Sequence, residues 1–390
     1  MVRALLYLPD DAAPPLAAAP VAGRTLAVRV MVAALRAGAS QIAVPSRLRD
    51  AEVERTLLRM PALAAAVHWL TPGVPVSAEE RAPWLLLPAS SLIHVSALAP
   101  LLAAPAPRGA VLAPSAAGPA PVALVPPPLV AELWTDLAAG RPVGAQLARR
   151  LVEAGAEARE TTGPYVAVRV ASDLAQAEQA LEVTLGIAAD SGVDRYLHRR
   201  GSRWISRLLV RTPVTPNQVS LVSLVIGLAA IWCFWHATAV SAWLGVLVYV
   251  LACIVDHADG EIARLTFQES RLGANLDWTI DTIIQVGIVL SLGVSSGGRL
   301  MGLVGLLGAT GVTLSAVFAR YLPREIEVGA TIGGVLAHIA NRDLFYLVLV
   351  SFAALRWLAP SCVFVVAVVV AVGSQAYWVG CLARIRRPRP

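Results

Sequence analysis

VDHADGEIARLTFQESRLGANLDWTIDTI, residues 255–283, sets four aspartates into an otherwise strongly apolar half of the chain. Its spacing is D-x2-D-G-x2-A-R-x8-G-x3-D-x3-D, with Asp256, Asp259, Gly260, Ala263, Arg264, Gly273, Asp277 and Asp281 at the fixed positions. On a helix Asp256 and Asp259 are i and i+3, and Ala263 and Arg264 continue that face; Asp277 and Asp281 are i and i+4 on the next helix. Side-by-side packing of the two helices would bring four carboxylates together. Such a cluster is costly in a membrane without a counter-charge, and hard divalent cations would offset the cost. Carboxylate-only ligation favours Mg²⁺ or Mn²⁺ over zinc, and paired carboxylates suit two ions acting on a phosphate. Gly260 leaves room for close approach to the backbone, Ala263 keeps the helix face thin, and Arg264 offers a planar fork to phosphate or to a carboxylate.

The surrounding composition agrees with a membrane setting. Of 390 residues, 57% are hydrophobic and 15% charged, with a mean hydropathy of +0.65. The formal charge is +6 and every basic residue is arginine, which excludes Schiff-base chemistry and a P-loop lysine. The apolar excess is uneven. Residues 1–190 have a net charge of −1 and no run near the roughly 18 apolar residues a membrane helix needs, so this half is expected to be soluble. The opening MVRALLYLPDD reads as a buried first strand, not a signal peptide. Residues 191–390 carry +7 and six expected spans, near 217–238, 241–263, 275–297, 300–319, 343–358 and 361–382. If the first half is cytoplasmic, the outer loops keep only Arg299 and Arg356, a positive-inside bias that puts both termini in the cytoplasm. Cys233, Cys253, Cys362 and Cys381 lack metal or redox spacing and read as membrane-core residues.

Between the halves, DRYLHRRGSRWISRLLVRT (194–212) interleaves six arginines with Tyr196, Leu197, Trp204, Ile205, Leu208 and Leu209, predicting an amphipathic helix along an anionic leaflet. Thr215 and Pro216 then suit the N-cap and first position of a helix. In the first half, strands are expected at 4–8, 41–44, 84–87 and 165–170 and helices at 24–37, 50–59, 129–139 and 171–189. That is an α/β pattern with a mostly parallel sheet. Residues 100–128 hold nine of the 27 prolines and read as a surface excursion. The domains are therefore 1–190, a linking segment 191–216, and an all-α six-helix transmembrane domain 217–390.

All eight positions of the aspartate pattern match the signature of the CDP-alcohol phosphotransferase family, which the six spans, the amphipathic helix and Thr215-Pro216-Asn217 also resemble. The resemblance implies an enzyme of phospholipid biosynthesis. A CDP-alcohol donor would bind through its diphosphate and two Mg²⁺ or Mn²⁺ ions, an acceptor hydroxyl would attack the phosphorus that stays with the donor alcohol, and CMP would leave. It implies Asp256, Asp259, Asp277 and Asp281 as metal ligands, with Asp281 also the general base. Asp256, Gly260, Ala263, Arg264 and Gly273 fall on the nucleotide and diphosphate side. Ser270 and Arg271 stand where inositol-phosphate-using members carry a polar and a basic residue, and Arg320, Arg324 and Arg342 could complete a basic acceptor pocket; topology-setting or headgroup contacts would explain these arginines equally. An inositol phosphate acceptor is favoured over glycerol phosphate or another polyol. Further implications are a multi-pass bacterial inner-membrane location, contact with lipids but not nucleic acid, and the dimerisation common in the family.

The first half resembles sugar-phosphate nucleotidyltransferases at PVAGRTLAVRVMVAALRAGASQIAVP (20–45), a domain fused to some of these phosphotransferases. Its catalytic parts are missing. The first strand runs into LPDDAAPP instead of a glycine-rich phosphate loop, no lysine is present, and Ala89-Ser90-Ser91 stands where a metal-binding aspartate is expected. A degenerate domain kept for binding, regulation or assembly is the reading. Two other classes compete for the whole chain, a cation transporter and a non-catalytic membrane anchor; divalent-dependent CMP release would separate them from a transferase.

Overall fold

Short leucine- and valine-rich runs cut by prolines build the first half. The computed structural model describes residues 2–11, 13–71, 82–104, 106–113, 118, 120–161, 163–185, 193–236, 238–321 and 342–385, and they fall into two compact units, 1–186 and 187–390.

In the first unit, β1 (Val2–Tyr7), β2 (Ala39–Pro45), β3 (Val67–Leu70), β4 (Trp84–Pro88), β5 (Ala110–Leu112), β6 (Ala123–Val125) and β7 (Glu157–Arg159) form one sheet in the order β7-β5-β6-β4-β1-β2-β3. β1 is parallel to both β2 and β4, β2 to β3 and β7 to β5, while β6 runs antiparallel to its neighbours. Helices Leu26–Arg36 and Pro127–Ala138 lie among the connections, and the core gathers Tyr7, Leu86, Val111, Val125, Leu133 and Leu147. Each of the larger buried side chains contributes roughly 2 kcal/mol by leaving water.

Two expectations fail here. Residues 100–128 are not a surface excursion: they contain β5 and β6, both fully buried inside the sheet. Three-residue strands fit between the prolines and leave no alternation long enough to register. The 165–170 run gives a strand only at Tyr165–Ala167, and it pairs antiparallel with Ser91–Ile93 in a separate two-stranded sheet. The helix expected at 171–189 is observed at Asp173–Val183.

The second unit begins with one π-helical turn, Asp194–His198, which leads into α1 (Arg199–Leu209). Six longer helices follow: α2 (Pro216–His236), α3 (Ala239–Thr266), α4 (Arg271–Ser295), α5 (Gly298–Tyr321), α6 (Arg342–Leu358) and α7 (Phe364–Ile385). Among the described residues five helical segments are long and apolar enough to span a bilayer: α2 to α5 and Pro360–Gly380. The sixth expected span, α6, has 17 residues, or roughly 26 Å of helix against an apolar core of about 30 Å. Leu221, Val225, Trp232, Leu247, Leu306 and Val369 face outward, as lipid-facing side chains do. Inside, Phe234, Tyr249, Ile284 and Phe352 pack together. α4 and α5 meet through Gly293 and Gly305: a Cβ on Gly305 would lie 2.9 Å from the Leu290 carbonyl and 3.0 Å from the Gly293 Cα, so only glycine permits this approach.

The amphipathic segment is oriented with its polar side inward. Tyr196, Leu197, Trp204 and Leu208 are exposed, while Arg199, Ser202 and Ser206 are buried. An apolar outer face flanked by the exposed Arg200 and Arg207 fits a helix seated at a lipid surface.

Candidate active site

Two helices position the aspartates. α3 ends at the left-handed residue Phe267, φ 58°, and α4 starts after the N-cap Ser270, whose hydroxyl accepts from Gly273 N–H at 2.9 Å. α3 and α4 do not pack side by side: each packs on α2, and the Asp256–Asp259 face of α3 and the Asp277 face of α4 converge across it. Asp256, Asp259 and Asp277 each bring a carboxylate oxygen within 4.8 Å of the others. Asp256 and Asp259 are 9% and 5% exposed, and Asp277 is half-buried. Asp281, half-buried one turn beyond Asp277, stands outside that tight group but close enough for its charge to act on Asp259.

Three converging, largely buried carboxylates fit a hard divalent cation, and unoccupied they would repel one another. His257, next to Asp256 in the chain, has Nδ1 2.8 Å from the Cys253 carbonyl and 4.0 Å from Asp256 Oδ2. The three converging side chains are all carboxylates, a donor type suited to hard divalent cations.

The remaining pattern residues surround this cluster. A Cβ on Gly260 would come within 3.3 Å of Arg264 Nη1, so the room the glycine leaves is occupied by the guanidinium, folded back along its own helix. At Gly273 a Cβ would meet Ser270 Oγ at 3.2 Å and Asn217 Oδ1 at 3.3 Å, which brings the start of α2 against the start of α4. Ala263 is half-buried on α3. One α2 residue at the site, Ser220, carried no signal in the sequence. Ser220 is buried with its hydroxyl on Asp259 Oδ2 and 3.2 Å from the Pro216 carbonyl. Asn217, which the sequence marked only as the third residue of Thr215-Pro216-Asn217, is placed by Gly273.

The basic residues are more dispersed. Arg271 is exposed at the first position of α4. Arg320, in the last turn of α5, donates to Asn275 and lies over the Trp278 ring at 4.7 Å, so it reaches the same end of α4 as Asp277. Arg342 opens α6, but its side chain, like all of Arg324, lies outside the described residues.

Residues 213–379 match the sequence model of the CDP-alcohol phosphatidyltransferases. This stretch is a CDP-alcohol phosphatidyltransferase domain. All the aspartates of the cluster lie within it. Among similar proteins, a Bifunctional IPC transferase and DIPP synthase of Rubrobacter xylanophilus is 36% identical over 179 residues, covering 43% of this chain and 40% of its own. A protein of the same name from Thermococcus kodakarensis is 38% identical over 95 residues, 24% of this chain and 21% of its own. An Archaetidylinositol phosphate synthase of Pyrococcus horikoshii is 30% identical over 94 residues, 24% and 47% respectively. The chain spans less than half the length of these curated relatives in each match.

The first unit has the α/β architecture with a mostly parallel sheet that was expected of it. β1 has neighbours on both sides, so the crevice at its carboxyl end is where such sheets bind ligands. β4 is followed there by Ala89, Ser90 and Ser91, all buried. The turn at Val21–Gly23 is held by Arg29, 3% exposed, which donates to the Val21 carbonyl at 2.8 Å and the Ala22 carbonyl at 2.9 Å. Burial pushes its guanidinium down to about 9, still charged at neutral pH. This arginine is thus committed to backbone carbonyls.

Proposed function

We propose that the protein transfers a phospho-alcohol group from a CDP-alcohol to a hydroxyl of an inositol phosphate, with release of CMP. The observation that carries this reading is the convergence of the Asp256, Asp259 and Asp277 carboxylates beside Arg264. Asp256, Asp259 and Asp277 would hold the divalent ion, which supplies positive charge to the donor diphosphate. Arg264, already above Gly260, would pair with a phosphate oxygen left over from that contact. Asp281, one turn along α4, would take the proton of the acceptor hydroxyl as its oxygen bonds to the phosphorus remaining with the donor alcohol. The bond from that phosphorus to the CMP oxygen breaks, and CMP carries the electron pair away. Arg320 and Arg271, with Ser270, would face the acceptor's own phosphate.

A second feature supports a lipid-linked donor over a CDP-polyol. A cavity of about 460 Å³ lies between α4, α5, α6 and α7, lined by Val312, Phe345, Val348, Val369 and Tyr377. Gln285 also lines it, one turn beyond Asp281, so hydrocarbon could continue from the reacting phosphorus into an apolar space. The names of the three relatives, which mention IPC or inositol, fit this acceptor class. We further place the aspartates and both termini in the cytoplasm, on the arginine distribution, and take the chain to act as a dimer.

The deciding experiment supplies CDP-diacylglycerol or CDP-inositol together with inositol phosphate, glycerol phosphate, inositol or serine, with Mg²⁺ or Mn²⁺. The expected result is divalent-dependent CMP release, greatest with CDP-diacylglycerol and inositol phosphate; no CMP from any pair would overturn the transferase reading. The first unit is proposed to lack cytidylyltransferase activity. Incubation of the full chain with CTP and inositol phosphate should release no pyrophosphate, and CTP-dependent formation of a CDP-alcohol would refute that.

A further inference from the structure

Glu261 is wholly buried and takes no part in the carboxylate cluster, although it lies two residues from Asp259 on the same helix. Two residues correspond to about 200° of rotation, so Glu261 leaves α3 on the side opposite Asp259. There it meets α1. Arg199 Nη1 donates to Oε1 at 2.9 Å, Ser202 Oγ donates to Oε1 at 2.8 Å, and Ser206 Oγ donates to Oε2 at 2.8 Å. Arg199, Ser202 and Ser206 are each buried to 4% exposure or less. Both carboxylate oxygens are thereby bound by donors from successive turns of one helix.

The backbones are equally close. A Cβ on Gly201 would lie 2.7 Å from the Ile254 side chain, so α1 sits directly on α3. The start of α1 is tied to α6, where Tyr346 OH and His198 Nε2 are 2.8 Å apart. From the other side, α2 reaches α3 through Ser220 and Asp259. The aspartate-bearing end of α3 is therefore gripped on two faces. A buried charge bound by three directional donors tolerates little rotation or sliding, since any displacement leaves a carboxylate oxygen unpaired in an apolar surrounding.

We infer that Glu261 is a positioning residue, whose pairing with Arg199, Ser202 and Ser206 sets the rotation of α3 and thereby the placement of Asp256 and Asp259 around a divalent ion. The inference rests on the metal-site reading above, and its test can fail separately from it. Full-length protein in detergent is titrated with Mn²⁺ alone, followed by electron paramagnetic resonance, with thermal unfolding of each variant recorded in parallel. Glu261→Gln removes the charge, Ser206→Ala removes one hydrogen bond and leaves the ion pair, and Arg199→Met with Glu261→Met replaces the pair by apolar side chains of similar length.

In folded Glu261→Gln the Mn²⁺ affinity should fall on the order of tenfold, the lower end of what loss of a supporting contact costs a metal site. Ser206→Ala should fall less, and the double Met variant should bind weakly even where its unfolding temperature matches the unsubstituted protein. Should Glu261→Gln not fold, Ser206→Ala and the double variant decide the question. Unchanged Mn²⁺ affinity in every folded variant overturns the inference, because a purely structural pairing would alter stability alone. Absence of Mn²⁺ binding by the unsubstituted protein would instead overturn the metal-site reading. A kcat reduced with KM preserved in folded Ser206→Ala would add a second, kinetic signature.

Discussion

Asp281→Asn is expected to lower CMP release by about a thousandfold, within the range a positioned general base contributes, while the protein still binds its CDP-alcohol. The asparagine has nearly the shape of the aspartate but cannot accept the acceptor's proton. Asp281 stands outside the tight carboxylate group and one turn closer to the apolar cavity, so the substitution leaves the three converging ligands in place. Equilibrium binding of CDP-diacylglycerol in Mg²⁺ and single-turnover CMP release measure the two effects separately. Turnover near that of the unsubstituted enzyme would remove Asp281 from the chemistry.

Asp259→Asn should have the broader effect. Asp259 is 5% exposed, belongs to the converging group and holds the Ser220 hydroxyl of α2. The amide keeps an oxygen for Ser220 and loses the negative charge, so folding should be largely retained while Mn²⁺ affinity falls by more than about a hundredfold, beyond the usual loss from a supporting contact. CMP release should fall with it. Saturating Mn²⁺ should restore part of the rate, which distinguishes lost ligation from misfolding; a variant with normal metal affinity would show that Asp256 and Asp277 suffice.

The aspartate positions were legible in the sequence because helical spacing converts a list of residues into a face. Two pairs three and four residues apart each mark one helix face, and the two faces converge because α3 and α4 both pack on α2. What the sequence could not show was the geometry between segments. Ser220 and Glu261 carry no pattern of their own: each matters because of the helix placed opposite it, and a lone glutamate in a D-G-x-x-A-R stretch looks like any surface acid. In the first unit the longer strands β1, β2 and β4 were readable from their apolar runs. β5 and β6 were not, since three residues between prolines do not form a periodicity, and their burial comes from the neighbours they pair with. The amphipathic segment is two-faced as its sequence implies, yet Arg199, Ser202 and Ser206 turn inward while Tyr196, Trp204 and Leu208 are exposed.

That reversed helix also determines where the chain can be divided. The two compact units separate at residue 186. A fragment ending there would keep the whole sheet domain and shed Trp204 and Leu208 with the membrane half. A fragment extended to 212 would carry an apolar ridge with no lipid to sit in and an Arg199 parted from Glu261, leaving that acid buried and uncompensated in what remains. By packing, α1 belongs to the bundle, and the practical seam of the protein lies ahead of it, not behind.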